Sequence, residues 1–311
     1  MAQRKMLLLV LGLAGVLLVT GFVTGAIGAA FLGRDEPILP VPEVHLAPQA
    51  VFHIGGFAVT NTLLSAWLTT IVIVFVFTWG TRRMRLVPRG LQNLLEAFTE
   101  GLYGFIVSVS GERFGRLFFP VLATMFVFIA FNAWIALLSI YPTVGLKEGG
   151  AEHVTTHLLR SAGTDINMPL ALAIISFLFV EGWGIKVHGI GYFREFVRFG
   201  GLFRSIVRFN PGAIFFGIIE AAIGVLEAMS HLIRVVSFTF RLFGNMLAGE
   251  IILLMVTFLL TFLASIAFYG LEILVGGVQA LIFAGLTLVF AVMAVAPHED
   301  GHREHQEEAA H

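Results

Sequence analysis

Arg241 is a permanently charged residue inside a stretch of chain that is apolar enough to cross a lipid bilayer. A guanidinium keeps its proton when it is desolvated, so its charge must be solvated by water or paired with an anion. Charged side chains at membrane depth are typical of ion pathways. The position of Arg241 therefore predicts a role in ion translocation.

Polar and small side chains accompany Arg241 along the same predicted helix. At about 100° per residue, several of them fall within about 40° of Arg241: Glu227, Ser230, Arg234, Ser237, Asn245 and Ala248. We call this set the Arg241 stripe. Glu250 falls about 180° away, so this carboxylate faces other surroundings than the arginine does. Ser230, Ser237 and Asn245 could equally serve only as helix-packing contacts, and Arg234 could extend to the membrane surface.

A second apolar run near the C-terminus repeats the pattern. Glu272, Gly276 and Gln279 share one helical face. Gly276 and Gly277 would allow a neighbouring backbone to approach closely. We therefore expect the two helices to pair so that Gln279 meets the Arg241 stripe. Glu227, Glu250 and Glu272 are candidate proton-path groups, whereas His231 could either titrate or simply form a hydrogen bond.

Composition identifies the class of protein. The chain has 311 residues, of which 58% are hydrophobic and 13% charged, with a mean hydropathy of +0.91. These values are typical of an integral membrane protein. Cysteine is absent, which excludes disulfides and thiolate-bound metals, and no basic patch suggests nucleic-acid binding.

The hydrophobic runs predict an all-α polytopic protein, with about five core membrane helices after an N-terminal hydrophobic helix. The runs are Met6–Leu32, Phe57–Trp79, Phe118–Ile140, Pro169–Ile185, Ala213–Thr261 and Phe262–Ala296. The last two predict long, tilted helices. We expect four segments: an N-terminal anchor or signal-like helix (1–33), an external Pro-rich segment (34–56), a membrane domain (57–296) and a His-rich acidic tail (297–311).

Loop charges predict the orientation. Basic residues follow the second and fourth runs and place both loops in the cytoplasm: Arg82, Arg83, Arg85, Arg89, Lys186, Arg194, Arg198, Arg204 and Arg208. The C-terminus would then be cytoplasmic. The first run has the features of a cleaved secretory signal and of a retained anchor alike. The tail histidines could bind a metal, although we expect a solvated, disordered tail.

Residues Gly90–Phe114 form a different kind of segment. Leu91, Leu94, Leu95, Phe98, Leu102 and Ile106 recur at helical spacing, with polar residues on the other face. This amphipathic pattern predicts an interfacial helix or a helical hairpin at the cytoplasmic surface.

The run Arg-Leu-Phe-Gly-Asn-Met-Leu-Ala-Gly-Glu at 241–250 resembles the signature of subunit a of the F-type rotary ATP synthases. Shorter pieces occur in the order that this family shows: Val87-Pro88 with Gln92 and Glu96, Asp165-Ile166-Asn167, Lys186 with Gly189-Ile190-Gly191, Asn210-Pro211 and Gln279. The resemblance extends from about Phe57 to Ala296.

The resemblance implies a role for each matching position. Arg241 would face the carboxylate of the rotating c-ring, with Asn245 one turn on and Gln279 supporting the arginine. Glu250 and Glu272 would line a half-channel open to the outside, and Asp165 and Asn167 its entrance. Glu227 would lie near the half-channel open to the cytoplasm. Apart from the resemblance, we regard Ser237, Arg234 and His231 as supporting candidates because they lie on the same predicted helix as Arg241. Carboxylates at both 250 and 272 depart from relatives that have a histidine at one of these positions, which leaves the order of the proton relay open.

The resemblance also implies partners and a location. The chain would be a multi-pass protein of a bacterial plasma membrane, assembled with the c-ring and the b subunits of the peripheral stalk. It shows no phosphate-binding loop, zinc motif or nucleophile elbow, so we expect neither a catalytic site nor a cofactor in this chain. Two rival interpretations are a self-contained channel or antiporter, usually built on an internal repeat, and an integral-membrane enzyme.

Overall fold

The computed structural model describes residues 2–34, 47–138, 145–146, 156–192, 211–260 and 263–296. Helices dominate this part of the chain: α1 (Ala2–Thr24), α2 (Ala26–Phe31), α3 (Asn61–Thr81), α4 (Leu91–Ala136), α5 (Asn167–His188), α6 (Pro211–Leu259) and α7 (Leu263–Val295). Short 3-10 turns cover Ala162–Thr164 and Gly189–Tyr192. The predicted all-α polytopic class is confirmed.

Six of the described helices are long and apolar enough to cross a membrane, namely all except α2. Many large apolar side chains remain on the outside of these helices, such as Leu9 (74% exposed) and Leu226 (68% exposed). In lipid, a helix satisfies its backbone hydrogen bonds internally, so an apolar outer surface is stable there. The chain is therefore a multi-pass membrane protein.

The two C-terminal helices have the predicted length. At about 1.5 Å per residue, the 49 residues of α6 extend for roughly 74 Å. The hydrocarbon core of a bilayer is only about 30 Å thick. A helix of this length stays in the membrane only if it is strongly tilted, as the length of the apolar run predicts.

Two boundaries differ from the sequence-based prediction. The first apolar run is not one helix, because Gly25 has an extended backbone (ψ 165°) and separates α1 from α2. A Cβ on Gly25 would overlap the backbone carbonyl of Leu259, so this position lies tightly against the end of α6. The second run begins as a strand, and α3 starts only at Asn61, where the hydroxyl of Thr60 caps it by accepting from the backbone N–H of Leu63 at 3.3 Å.

Two small antiparallel hairpins were not predicted. Strand β1 (Ala50–Ile54) pairs with β2 (Phe57–Thr60) around Gly55 and Gly56, which have φ angles of 55° and 89°. Positive φ at both turn positions is the conformation that favours glycine in tight hairpins. Strand β3 (Gly145–Leu146) pairs with β4 (Thr156–His157). Strand β2 takes up the first residues of the second apolar run, which is why α3 begins only at Asn61, whereas β3 and β4 lie between the third and fourth runs.

Helix α4 joins the predicted amphipathic segment (Gly90–Phe114) to the third apolar run, so the observed hairpin extends beyond the segment for which a helix or hairpin was predicted. Its backbone breaks at Gly111 (φ 74°, ψ 166°), giving a first arm over 91–110 and a second over 112–136. The rings of Tyr103 and Phe119 lie 5.3 Å apart, although 16 residues of straight helix would separate them by about 24 Å. The two arms therefore form a helical hairpin.

The prediction of which residues are buried on the first arm of α4 was only partly correct. Leu102 and Ile106 are buried as expected, but Leu94 is 65% exposed. Gln92, assigned to the polar face, is buried. Its amide oxygen accepts from the backbone N–H of Arg85, and its Nε2 donates to the Arg85 carbonyl. This side chain holds the connection between α3 and α4, which is why a polar residue is buried there.

The chain divides into two compact units. Unit 1 takes the described residues within Met1–Glu100, Ala123–Leu172 and Ser237–Ala284. Its core includes Ile129, Leu242 and Phe283, with the rings of Phe238 and Phe283 5.0 Å apart.

Unit 2 takes the described residues within Gly101–Leu122, Ala173–Val236 and Gly285–His311. Its core centres on Phe118, whose ring contacts Phe179 at 5.5 Å and Trp183 at 5.3 Å. The predicted basic residues Arg194, Arg198, Arg204 and Arg208 and the tail 297–311 lie outside the described residues.

Candidate functional site

Arg241 lies on α6 and is exposed on the surface of unit 1. Its guanidinium carbon is 5.9 Å from the centre of the Phe238 ring. Among the described residues, its side chain forms no ion pair and no hydrogen bond. A permanent cation on an apolar helix is thus presented outward and remains available to a partner.

The expected contact between the Arg241 stripe and α7 is made by Asn245. Its Nδ2 donates to the Oε1 of Gln279 at 3.3 Å. Gln279 is only 4% exposed, and its Nε2 has no partner among the described residues. The pair joins α6 to α7 one turn from Arg241. Ser237, another member of the stripe, is exposed.

Glu250 is held by a residue that the sequence analysis did not single out. Both of its carboxylate oxygens accept N–H groups of Arg160, whose Nε lies 3.1 Å from Oε1 and 3.3 Å from Oε2, with Nη2 3.2 Å from Oε2. Arg160 is 7% exposed. A buried guanidinium is stable only beside a counter-charge, which Glu250 supplies.

Glu272 lies against the backbone of α6. A Cβ on Gly249 would overlap the carboxylate of Glu272, so the absence of a side chain at 249 leaves the space that this carboxylate fills. Glu272 is partly exposed and, within the described part of the chain, has no hydrogen-bond or ion-pair partner. Gly276, one turn on, packs instead against Ala133 of α4.

Asp165 and Asn167 are bonded to each other at the start of α5. The Oδ1 of Asp165 accepts the backbone N–H and the Nδ2 of Asn167, at 3.1 Å and 2.8 Å. Its Oδ2 accepts the hydroxyl of Thr62 at 2.9 Å. Asp165 is 8% exposed, so these three bonds satisfy an otherwise costly buried carboxylate.

The remaining predicted residues lie in unit 2. The Nδ1 of His231 bonds the Oε1 of Glu181 at 2.5 Å, so this histidine is hydrogen-bonded. The guanidinium of Arg234 lies 3.7 Å from the centre of the Phe290 ring. Arg234 therefore packs against an aromatic ring, at a position halfway along α6. Glu227 is partly exposed.

Two functional candidates were missed, for different reasons. Glu181 is a carboxylate inside an apolar run and carries the same signal that pointed to Arg241. Arg160 gave almost no signal, because it lies in an irregular segment before α5. Within the described residues, no group of three or more potential metal ligands occurs.

Comparison with known proteins covers the whole region that holds these residues. The sequence model of the family described as ATP synthase A chain matches residues 63–292. The chain is 32% identical over 238 residues to ATP synthase subunit a of Desulfosudis oleivorans, which covers 75% of this chain and 88% of that protein. It is 28% identical over 269 residues to ATP synthase subunit a of Gloeobacter violaceus, covering 86% and 96% of the two chains.

A third relative, ATP synthase subunit a 3 of Pelobacter propionicus, is 30% identical over 246 residues, with 79% of this chain and 90% of the relative covered. The match thus includes the arginine of α6, its neighbours on α7 and the polar start of α5. With its six apolar helices and this similarity over most of its length, the chain belongs to the ATP synthase A chain family.

Proposed function

We propose that this chain is the stator subunit of a rotary ATP synthase and that it carries protons to and from a carboxylate on the c-ring through two offset half-channels. The observation that supports this most is Arg241, an exposed guanidinium on an apolar helix with no ion pair among the described residues. A cation in that position attracts an anionic group on a neighbouring subunit.

The outer half-channel is assigned to unit 1. Asp165 and Asn167 form its entrance, and Glu250 and Glu272 line it further on. The hydrogen bonds of Asp165 and the partial exposure of both glutamates support this assignment, since an aqueous path needs polar walls inside an apolar protein. Asn245 and Gln279 hold α6 and α7 together beside Arg241.

The inner half-channel is assigned to unit 2. Glu227 is its acidic group, and His231 and Arg234 are supporting residues. The hydrogen bond between His231 and Glu181 adds a second carboxylate to this group of ionisable residues.

The coupling of proton transfer to rotation follows from the cost of charge in lipid. A ring carboxyl that has taken a proton from the outer path is neutral and enters lipid readily, whereas the ionised form would cost several kcal/mol. After nearly a full turn it releases the proton to the inner path. Arg241 then stabilises the anion and opposes a direct proton leak between the paths. Each proton that crosses 100 mV supplies about 2.3 kcal/mol.

The proposal also specifies the assembly. The partners are the c-ring and the b subunits of the peripheral stalk, in a bacterial inner membrane with the C-terminus on the cytoplasmic side. ATP chemistry would then take place on other subunits, because this chain only conducts the ion.

Replacing Arg241 tests the proposal. In membranes that contain the assembled complex, we expect Arg241→Ala to lower proton-driven ATP synthesis at least about 100-fold, because the charge that separates the two paths is lost. Arg241→Lys should fail as well, since a desolvated lysine can give up its proton.

The matched control is Arg116→Ala, which removes an exposed arginine of α4 that has no place in either path. It should synthesise ATP normally. Normal synthesis by the Arg241→Ala complex would refute the proposed role.

A further inference from the structure

The two carboxylates assigned to the outer path are held in different ways. Glu250 accepts three N–H contacts from Arg160, and both of its oxygens take part. Glu272 has no such partner among the described residues and rests against the bare backbone of Gly249. The sequence alone does not distinguish these two glutamates, but their surroundings do.

Arg160 is itself fixed in place. Its Nη1 donates to the carbonyl of Ala47 at 3.3 Å, and its backbone N–H donates to the hydroxyl of Ser65 at 3.0 Å. Ser65 in turn donates to the carbonyl of Asn61 at 3.0 Å, within α3. Arg160 is therefore held at its backbone and at its guanidinium, and the guanidinium cannot follow Glu250 to another position without losing its bond to Ala47.

The need of Arg160 for a counter-charge limits the ability of Glu250 to take up a proton. Arginine keeps its proton in proteins, so Arg160 remains a cation while it is buried. A proton that neutralised Glu250 would leave this buried cation without its counter-charge, which is strongly unfavourable. A carboxylate in such a pair can line an aqueous path as a fixed anion. It is poorly suited to taking up and releasing the transported protons.

Glu272 has the opposite character. No cation is paired with it in the described part of the chain, so taking up a proton breaks no ion pair. It is partly exposed, and the missing side chain at Gly249 gives its carboxylate room beside α6. Both properties are required of a group that is protonated and deprotonated once for every ion carried.

We propose that Arg160 is a positioning residue that keeps Glu250 as a fixed anion of the outer path, and that Glu272 is the carboxylate that carries the proton. This inference rests on the proposed function. Glu272 accepts one proton from water of the outer path and becomes a neutral carboxyl. It then gives that proton to the ionised ring carboxylate and returns to its anionic form, so no other reactant is needed.

The test uses the assembled complex in inverted membrane vesicles, with ATP-driven proton pumping as the measurement and the amount of assembled complex as the reference. We expect Glu272→Gln to lower pumping at least about 100-fold, because an amide cannot take up the proton. Glu272→His should stay within about tenfold of the unaltered complex, since an imidazole can carry a proton.

The Arg160–Glu250 pair is tested by single and double replacement. Arg160→Gln and Glu250→Gln should each lower pumping at least about tenfold, because Glu250→Gln leaves the buried Arg160 cation without its counter-charge and Arg160→Gln releases the Glu250 carboxylate from its fixed position. The double variant Arg160→Gln/Glu250→Gln removes both charges and should recover to within about fivefold of the unaltered complex. The charge-swapped variant Arg160→Glu/Glu250→Arg keeps an ion pair at these two positions. Its pumping should recover to the same extent, and it serves as the second test in case the neutral double variant assembles poorly.

Three results separate the outcomes. Pumping by Glu272→Gln at the unaltered rate would overturn the assignment of the carrier. A double variant and a charge-swapped variant that both pump no better than Glu250→Gln would overturn it too, since Glu250 itself would then be needed as a carboxylate. In either case the loss in Arg241→Ala would persist, so these failures are distinct from a failure of the proposed function.

Discussion

The charged side chains inside this apolar protein are stabilised in several distinct ways. Asp165 is bonded by a hydroxyl and an amide, Glu250 by a guanidinium and Glu181 by an imidazole. Arg234 lies over an aromatic ring. Arg241 has no hydrogen bond or ion pair in the part of the chain that the structure describes. This difference at the level of single residues supports the proposed assignment of Arg241 to a group on another subunit.

Asp165 provides a prediction at the residue scale. Asp165→Ala should destabilise the protein by about 1–3 kcal/mol, because it removes the acceptor of the hydrogen bonds from the Thr62 hydroxyl and from the backbone N–H and side-chain amide of Asn167. Asp165→Asn should cost less, since its amide oxygen can still accept from Asn167 and its NH2 can donate to Thr62. Thermal unfolding of the detergent-solubilised complex measures both; equal melting temperatures for the two variants would contradict this account.

Helices α6 and α7 are in close contact at Gly249. The carboxylate of Glu272 fills the space that a side chain at 249 would need, and the amides of Asn245 and Gln279 join the same two helices. Small residues allow such close approach in membrane proteins, where packing and polar contacts, rather than the hydrophobic effect, hold helices together. The position of Glu272 beside α6 therefore depends on Gly249, and the geometry of the proposed outer path would depend on it too.

Substitution of Gly249 tests this dependence at the level of the helix pair. Gly249→Ala should lower both the melting temperature and the pumping rate, because an added methyl overlaps Glu272 and such overpacking typically costs about 1–3 kcal/mol. Gly270→Ala on α7 is the matched control, since nothing lies within 4 Å of the added carbon there. If the two variants behave alike, the close contact at Gly249 is unimportant.

At the scale of the whole molecule, the chain presents an apolar exterior. Leu9, Trp79 and Leu226 are 74%, 64% and 68% exposed. Lipid covers such a surface without cost, and so do the apolar helices of neighbouring subunits. The rivals of the proposed function, a self-contained channel and a membrane enzyme, predict instead that the isolated chain is active.

Purification distinguishes these possibilities. A tagged form of the chain, extracted in mild detergent, should copurify with a c-ring and a peripheral stalk, because a stator subunit works only within that assembly. A tagged chain extracted in harsh detergent and reconstituted alone should conduct no ions. Ion transport by the isolated chain in liposomes would favour the channel interpretation.

Much of the architecture was predictable because it is local. Apolar runs of sufficient length specify membrane helices, and five of the six predicted runs agree with single helices or with the second arm of α4 to within about six residues. A charge inside such a run is conspicuous in the sequence, which is why Arg241 was identified. Helical spacing predicted that Gln279 would meet the Arg241 stripe, and the structure shows that Asn245 is the member that contacts it.

The sequence by itself determined the class, the membrane helices and the position of the central arginine, since each depends on residues close together in the chain. Only the tertiary structure revealed that Arg160 pairs with Glu250 across 90 residues and that Glu181 pairs with His231 across 50. It also distinguished Glu272 from Glu250, two carboxylates that look alike in the sequence. Such pairings join residues that are far apart in the chain and depend on how helices and loops pack against one another. A local pattern of residue types does not contain that information.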